Sequence, residues 1–115
     1  MVGVEVGEEM VTVGDVLSAA ADRIEKYGWV KNQFGDAGGP VCAWGAMNLT
    51  AKHHPGSATD ATFAVREAFG DFLGVPTARW NDNIAKSKRQ VVKTLRLAAW
   101  VYEDTLLPEP VIRRG

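Results

Sequence analysis

Apolar residues recur at three-and-four spacing in two long stretches of this chain, and that periodicity constrains the fold more than any other feature. Val13, Val16, Leu17, Ala20, Ile24 and Tyr27 form the first stripe. Val91, Val92, Leu95, Ala98, Ala99 and Tyr102 form the second. This spacing gives a helix one apolar face, whereas a strand would need alternation. It predicts one helix from about Val13 to Tyr27 and another from Ser87 to about Asp104. Thr12 can cap the first, and Asp15 favours the positive end of its dipole. Gly28 stands where helices end in a left-handed residue. Ser87 followed three residues later by Gln90 has the form of a capping box.

Between these stretches, Trp29 to Phe34 reads as extended or irregular, and a hairpin-like excursion fits there. Gly35-Asp36-Ala37-Gly38-Gly39-Pro40 is a turn able to reverse the chain. Cys42 to about Lys52 reads as a second helix. Ala43, Gly45 and Ala46 are too small to bury much surface, so their use is to let a neighbour approach closely. Gly45 weakens that helix by about 1 kcal/mol relative to alanine, and a close contact is the simplest offset. A third helix starts at Thr59 or Asp60 and runs to about Leu73, with Phe63, Ala64, Phe69, Phe72 and Leu73 facing the core. Gly74-Val75-Pro76 ends it. Trp80-Asn81-Asp82 then reads as a loop, and Leu106 onward as a tail. At the start, Val2, Val4 and Val6 alternate with other residues, as in a short edge strand or a frayed terminus. The expected fold is mainly α: a compact four-helix single domain over residues 1–115, with a short N-terminal strand or hairpin as an option and 1–10 and 106–115 as flexible termini.

At 115 residues the chain is long enough for one core without staples. Hydrophobic residues at 46% and charged residues at 23% are globular proportions. The single cysteine, Cys42, cannot form an internal disulfide and fits a reducing compartment. The first ten residues carry glutamates where a signal peptide carries lysine or arginine, and no apolar run reaches membrane-spanning length. A cytoplasmic protein is expected, with no membrane contact. The formal charge of −1 is unevenly spread. Up to Glu25, six acidic residues stand against Arg23 alone, and from Arg79 to Arg96, six basic residues stand against Asp82 alone. The favoured reading is that the two regions lie together or that each is a solvated face; the alternative is that the basic one is a nucleic-acid face.

The helix ending Tyr27-Gly28-Trp29, the glycine-rich turn, Val41-Cys42-Ala43-Trp44-Gly45-Ala46, Trp80-Asn81-Asp82 and Ser87-Lys88-Arg89-Gln90-Val91-Val92 together carry a likeness. The chain resembles small uncharacterised proteins of actinobacteria and mycobacteriophages, a domain-of-unknown-function family with a Cys-Ala-x-Gly-Ala segment and a Trp-Asn-Asp motif. The likeness extends from about Val13 to Ala99. The chain departs from the pattern at Asn83-Ile84-Ala85-Lys86, where a Pro-Gly-Arg-like turn belongs. The resemblance implies no activity, cofactor or site, and it implies a bacterial setting, or the host cytoplasm for a phage protein.

Three chemistries compete with a purely architectural role for these motifs. Cys42, then His53 and His54, then Asp82 follow the order of a cysteine nucleophile with base and orienting group, and a helix N-terminus lowers a thiol pKa. The same residues, completed by Asp60 or Asp82, make a poor metal set, because adjacent histidines on a helix point about a hundred degrees apart. Lys86, Lys88, Arg89 and Lys93 are the candidate nucleic-acid contacts, and Leu73-Gly74-Val75 loosely evokes the turn of a helix-turn-helix. Against all three stands a structural motif of Cys42, Gly45, Trp80, Asn81 and Asp82. In it Trp80 plugs the core on the small-residue helix, and Asn81 or Asp82 holds backbone groups of its own turn. Trp29, Trp44 and Trp100 are likewise expected in the core, and an exposed one would point to a protein interface. No catalytic set, metal or cofactor is expected. The favoured reading is binding to a host or phage protein, or to a second copy through Leu97, Trp100 and Val101, with DNA binding and cysteine catalysis as the alternatives.

Overall fold

The computed structural model describes residues 12–36, 38–51 and 58–108. The alternating valines near the start, His53, His54 and the segment 109–115 lie outside the described residues. The architecture is helical: α1 (Val13–Tyr27), α2 (Ala43–Ala51), α3 (Ala58–Leu73), a short α4 (Thr77–Arg79) running into a π-helical turn (Trp80–Ile84), and α5 (Lys88–Val101). Among the described residues there is no sheet, only isolated bridges. Both helices foreseen from the stripes form nearly where expected. The loop expected around Trp80 is instead α4 and the π turn.

The start of α1 is doubly tied. Thr12 Oγ1 accepts from the Asp15 amide and Asp15 Oδ2 accepts from the Thr12 amide, both at 3.0 Å, a complete capping box. The next amides reach across the fold: Val13 N donates to Thr105 O at 2.7 Å and Gly14 N to Tyr102 O at 3.1 Å. Those two bonds, with the Thr12–Leu106 bridge, fasten the segment 102–106 onto α1. Leu107 is buried at 5% exposure, so the core extends two residues into the segment expected to be a free tail.

α1 packs most extensively against α5. Val16, Leu17, Ala20 and Ile24 meet Val91, Leu95 and Ala98 in one core that also takes Met47 from α2 and Val65 and Phe69 from α3. Burying each large side chain in this set contributes about 1.5–3 kcal/mol. The approach of the two helices is limited by Gly14, where a Cβ would stand 2.5 Å from Ala99 O and 2.8 Å from Glu103 Cα.

Four side chains fall on the other side of expectation. In α3 the buried apolar positions are Ala61, Val65 and Phe69, four residues apart, so Phe63 lies off that row at 55% exposure. Tyr27 ends the first stripe 44% exposed, under the Arg23 guanidinium at 4.8 Å. Trp44 is only half-buried. Trp100 is 71% exposed, since it follows Val91 by nine residues, about two and a half turns, and so faces away from the core.

Candidate functional site

The two motifs meet. The π turn, closed by Ala85 N donating to Trp80 O at 2.8 Å, sends Trp80 inward and sets Asn81 beside it. The Trp80 ring stands edge-on to Phe69, with centroids 5.5 Å apart and planes at 90°. Asn81 is 1% exposed and uses its whole bonding capacity. Its Oδ1 accepts from Trp29 Nε1 at 2.6 Å and from the Ala43 amide at 2.9 Å. Its Nδ2 donates to Val30 O at 3.2 Å and to Asp82 Oδ1 at 2.9 Å. Asp82 Oδ1 also accepts from the Asn32 amide at 2.7 Å, where Asn32 has a φ of 60°. Asn81 and Asp82 therefore hold the 29–32 segment and the first amide of α2, not their own turn as expected.

Cys42 precedes α2 and acts as its cap. Its carbonyl accepts from Ala46 N at 2.9 Å, and its Sγ accepts from Gly45 N at 3.2 Å. Burial pushes its thiol pKa up, the Gly45 amide opposes that, and the Asp82 carboxylate adds to the rise. The lowering expected from the helix N-terminus is thus outweighed by desolvation. Gly45 is needed because a Cβ there would stand 2.8 Å from Phe34 O and 3.3 Å from Val41 Cβ. The close neighbour of the small-residue run is the 29–41 excursion, and the indole of Trp80 sits on Phe69 instead.

That excursion folds back on itself. Val30 N donates to Val41 O at 3.2 Å, Asp36 N to Pro40 O at 3.0 Å and Cys42 N to Phe34 O at 3.1 Å. Arg23 Nη2 donates to Gly39 O at 3.2 Å, anchoring its far end to α1. Cys42, Asp82, Phe34 and Trp44 line a shallow hollow of about 270 Å³ beside it. Of its polar walls, Asn32, Asn81 and Asp82 are hydrogen-bonded to one another. Of the proposed catalytic set, Cys42 and Asp82 share this hollow, and the histidines lie outside the described residues. Asp60, on the first turn of α3, is exposed. Among the described residues no three His, Cys, Asp or Glu side chains converge as a metal-binding group. No described helix is long and apolar enough to cross a membrane.

The charge asymmetry resolves on α5. Arg96 Nη2 lies 2.9 Å from Asp22 Oδ1 and 2.7 Å from Glu25 Oε1, and Lys88 Nζ donates to Glu25 O at 3.3 Å. Of the acidic region, Asp22 and Glu25 lie against the basic helix, and Glu5, Glu8 and Glu9 lie outside the described residues. Ser87 Oγ accepts from the Gln90 amide at 3.1 Å, while Gln90 Oε1 accepts from Lys86 N at 2.6 Å, one residue earlier than the box pattern places it. Arg89 and Lys93 project outward with no ion pair among the described residues. They border a groove of about 640 Å³ with Glu25, Val92 and Leu97. Leu97 is 51% exposed, and beyond the groove Trp100 is 71% and Val101 53% exposed. After the turn at Gly74, where a helix-turn-helix would need its second helix, come only the three residues of α4 and the π turn.

Residues 8–100 match a family described as Family of unknown function (DUF6197). No curated protein and no solved structure matches the chain.

Proposed function

This chain belongs to that family of unknown function, and we propose that it acts without chemistry of its own, by binding a protein chain through the outer face of α5. The observation that carries this reading is the exposure of Leu97, Trp100 and Val101 side by side, with Trp100 at 71%. A large indole left in water next to two aliphatic side chains is the composition of an interface centre. Arg89 and Lys93 give the patch a charged border, which suits orientation of a partner. The Cys42–Asn81–Asp82 cluster supports the same reading from the other side. Its thiol is held protonated by burial, and its amide is spent on bracing the fold. The setting proposed with it is a reducing cytoplasm, bacterial or phage-infected.

The test is a photo-crosslinking residue placed singly at position 100, at 97 and, as a control, at Asp71 on α3. Covalent protein adducts from 100 and 97, with none from 71, are the expected result. Adducts at 71 alone, or at none of the three positions, would remove the reading.

A further inference from the structure

The outward face of α5 has a polarity. Arg89, Lys93, Leu97 and Trp100 recur at intervals of four, four and three residues, so they share one side of the helix. α5 closes in a turn: Tyr102 N donates to Ala98 O at 3.0 Å, and Glu103 N to Trp100 O, three residues back, at 3.4 Å. Asp104 is exposed in the turn that follows α5 and sets an acidic residue beyond Trp100. Read along the chain, the order is basic, basic, apolar, apolar, acidic. Arg96 is turned toward α1 by Asp22 and Glu25 and takes no part in it.

An order with opposite charges at its two ends and an apolar middle is complementary to itself when reversed. Laid antiparallel, a copy places its Trp100 on Leu97 and its acidic end on the basic end, while a parallel copy would set like charges together. Two-fold symmetry then repeats every contact. We propose that the occupant of this face is a second copy of the chain, docked antiparallel along α5, with Lys93 of each copy against Asp104 of the other. This deepens the protein-binding reading above and rests on it.

The experiment is sedimentation equilibrium on the whole chain, wild type and variants, with a zero-length carbodiimide crosslink. The wild type is expected to dimerise. K93D and D104K, both at exposed positions, should each weaken the dimer about tenfold or more, because each places like charges together twice. The K93D/D104K double variant should restore it to within about threefold of the wild type, since the exposed pairs reform with reversed polarity. In the wild-type dimer a Lys93–Asp104 amide should be found by mass spectrometry. Within one chain Lys93 already lies about 12 Å along the axis from Val101 at the end of α5, so a bond to Asp104 beyond it must join two copies. A chain that stays monomeric, or a dimer indifferent to all three variants, would overturn the proposal. If the purified chain is monomeric while position 100 still crosslinks to a different protein, only the second-copy assignment falls. If neither occurs, both readings fall.

Discussion

Asn81 caps a helix that begins thirty-eight residues earlier in the chain: its Oδ1 accepts the Ala43 amide at 2.9 Å. The first amides of a helix have no partner within it, and usually a neighbouring side chain supplies one. Here Cys42, the neighbour, serves Gly45, and the Ala43 amide is served across the fold. The same oxygen holds Trp29, so one carboxamide joins the π turn, the excursion and α2.

Asn81→Ala would strand the buried Ala43 amide and the Trp29 indole N–H, and it would free Val30 O. Each buried unsatisfied group costs about 1–3 kcal/mol. Denaturant unfolding should show a loss of about 2–4 kcal/mol. A loss under about 0.5 kcal/mol, the level of an ordinary surface change, would mean the junction is incidental.

Two helix glycines should respond in opposite directions to alanine. Gly14→Ala drives a Cβ into the backbone of α5 and should destabilise by about 2–3 kcal/mol, despite alanine's better helix propensity. Gly70→Ala meets nothing nearer than Val75 O at 3.5 Å and should be neutral or stabilise by up to about 1 kcal/mol. Thermal melts of the two variants moving the same way would contradict the packing of α1 on α5.

The thiol offers a titration. Burial raises the folded pKa of Cys42 above its ordinary value of 9.0, so folding favours the protonated form. The associated stability is complete below the unfolded thiol's pKa and declines as pH rises from there through the folded value. Cys42→Ala should flatten that decline. Alkylation of the native protein near pH 8 should run at least about tenfold slower than in denaturant, because only thiolate reacts. Equal rates in the two states would restore Cys42 as a candidate nucleophile.

Two tryptophans should separate stability from surface. Trp80→Ala empties a core site against Phe69 and should cost about 3–5 kcal/mol. Trp100→Ser should change stability by no more than about 0.5 kcal/mol while reducing self-association. A large stability loss at Trp100 would place that ring in the core after all.

Duplex DNA should not bind appreciably. Arg96 is engaged with Asp22 and Glu25 and Lys88 reaches Glu25 O, which leaves Lys86, Arg89 and Lys93 of the candidate contacts, with Asp104 exposed at the far end of the helix. Three phosphate contacts give a shallow salt dependence, a slope of about −3 in log–log form. A steep slope in fluorescence anisotropy at low salt, lost on replacing Lys88, Arg89 and Lys93, would revive the nucleic-acid reading.

What the sequence determined by itself is what depends on near neighbours in the chain. The apolar stripes set α1 and α5, Thr12 and Ser87 set where they start, and Gly28 ended α1 with a φ of 105°. Helix formation and capping act within about four residues, so they are written locally. The small residues around Cys42 announced a close approach but not the partner, which proved to be the Phe34 carbonyl. The tertiary structure alone decided that Asn81 would serve α2 and Trp29 and that Leu107 would belong to the core. It also decided that the acidic α1 would neutralise Arg96, leaving a polar row on α5. These outcomes come from segments tens of residues apart, and a hydrogen bond between them depends on how whole helices pack, which no local periodicity encodes.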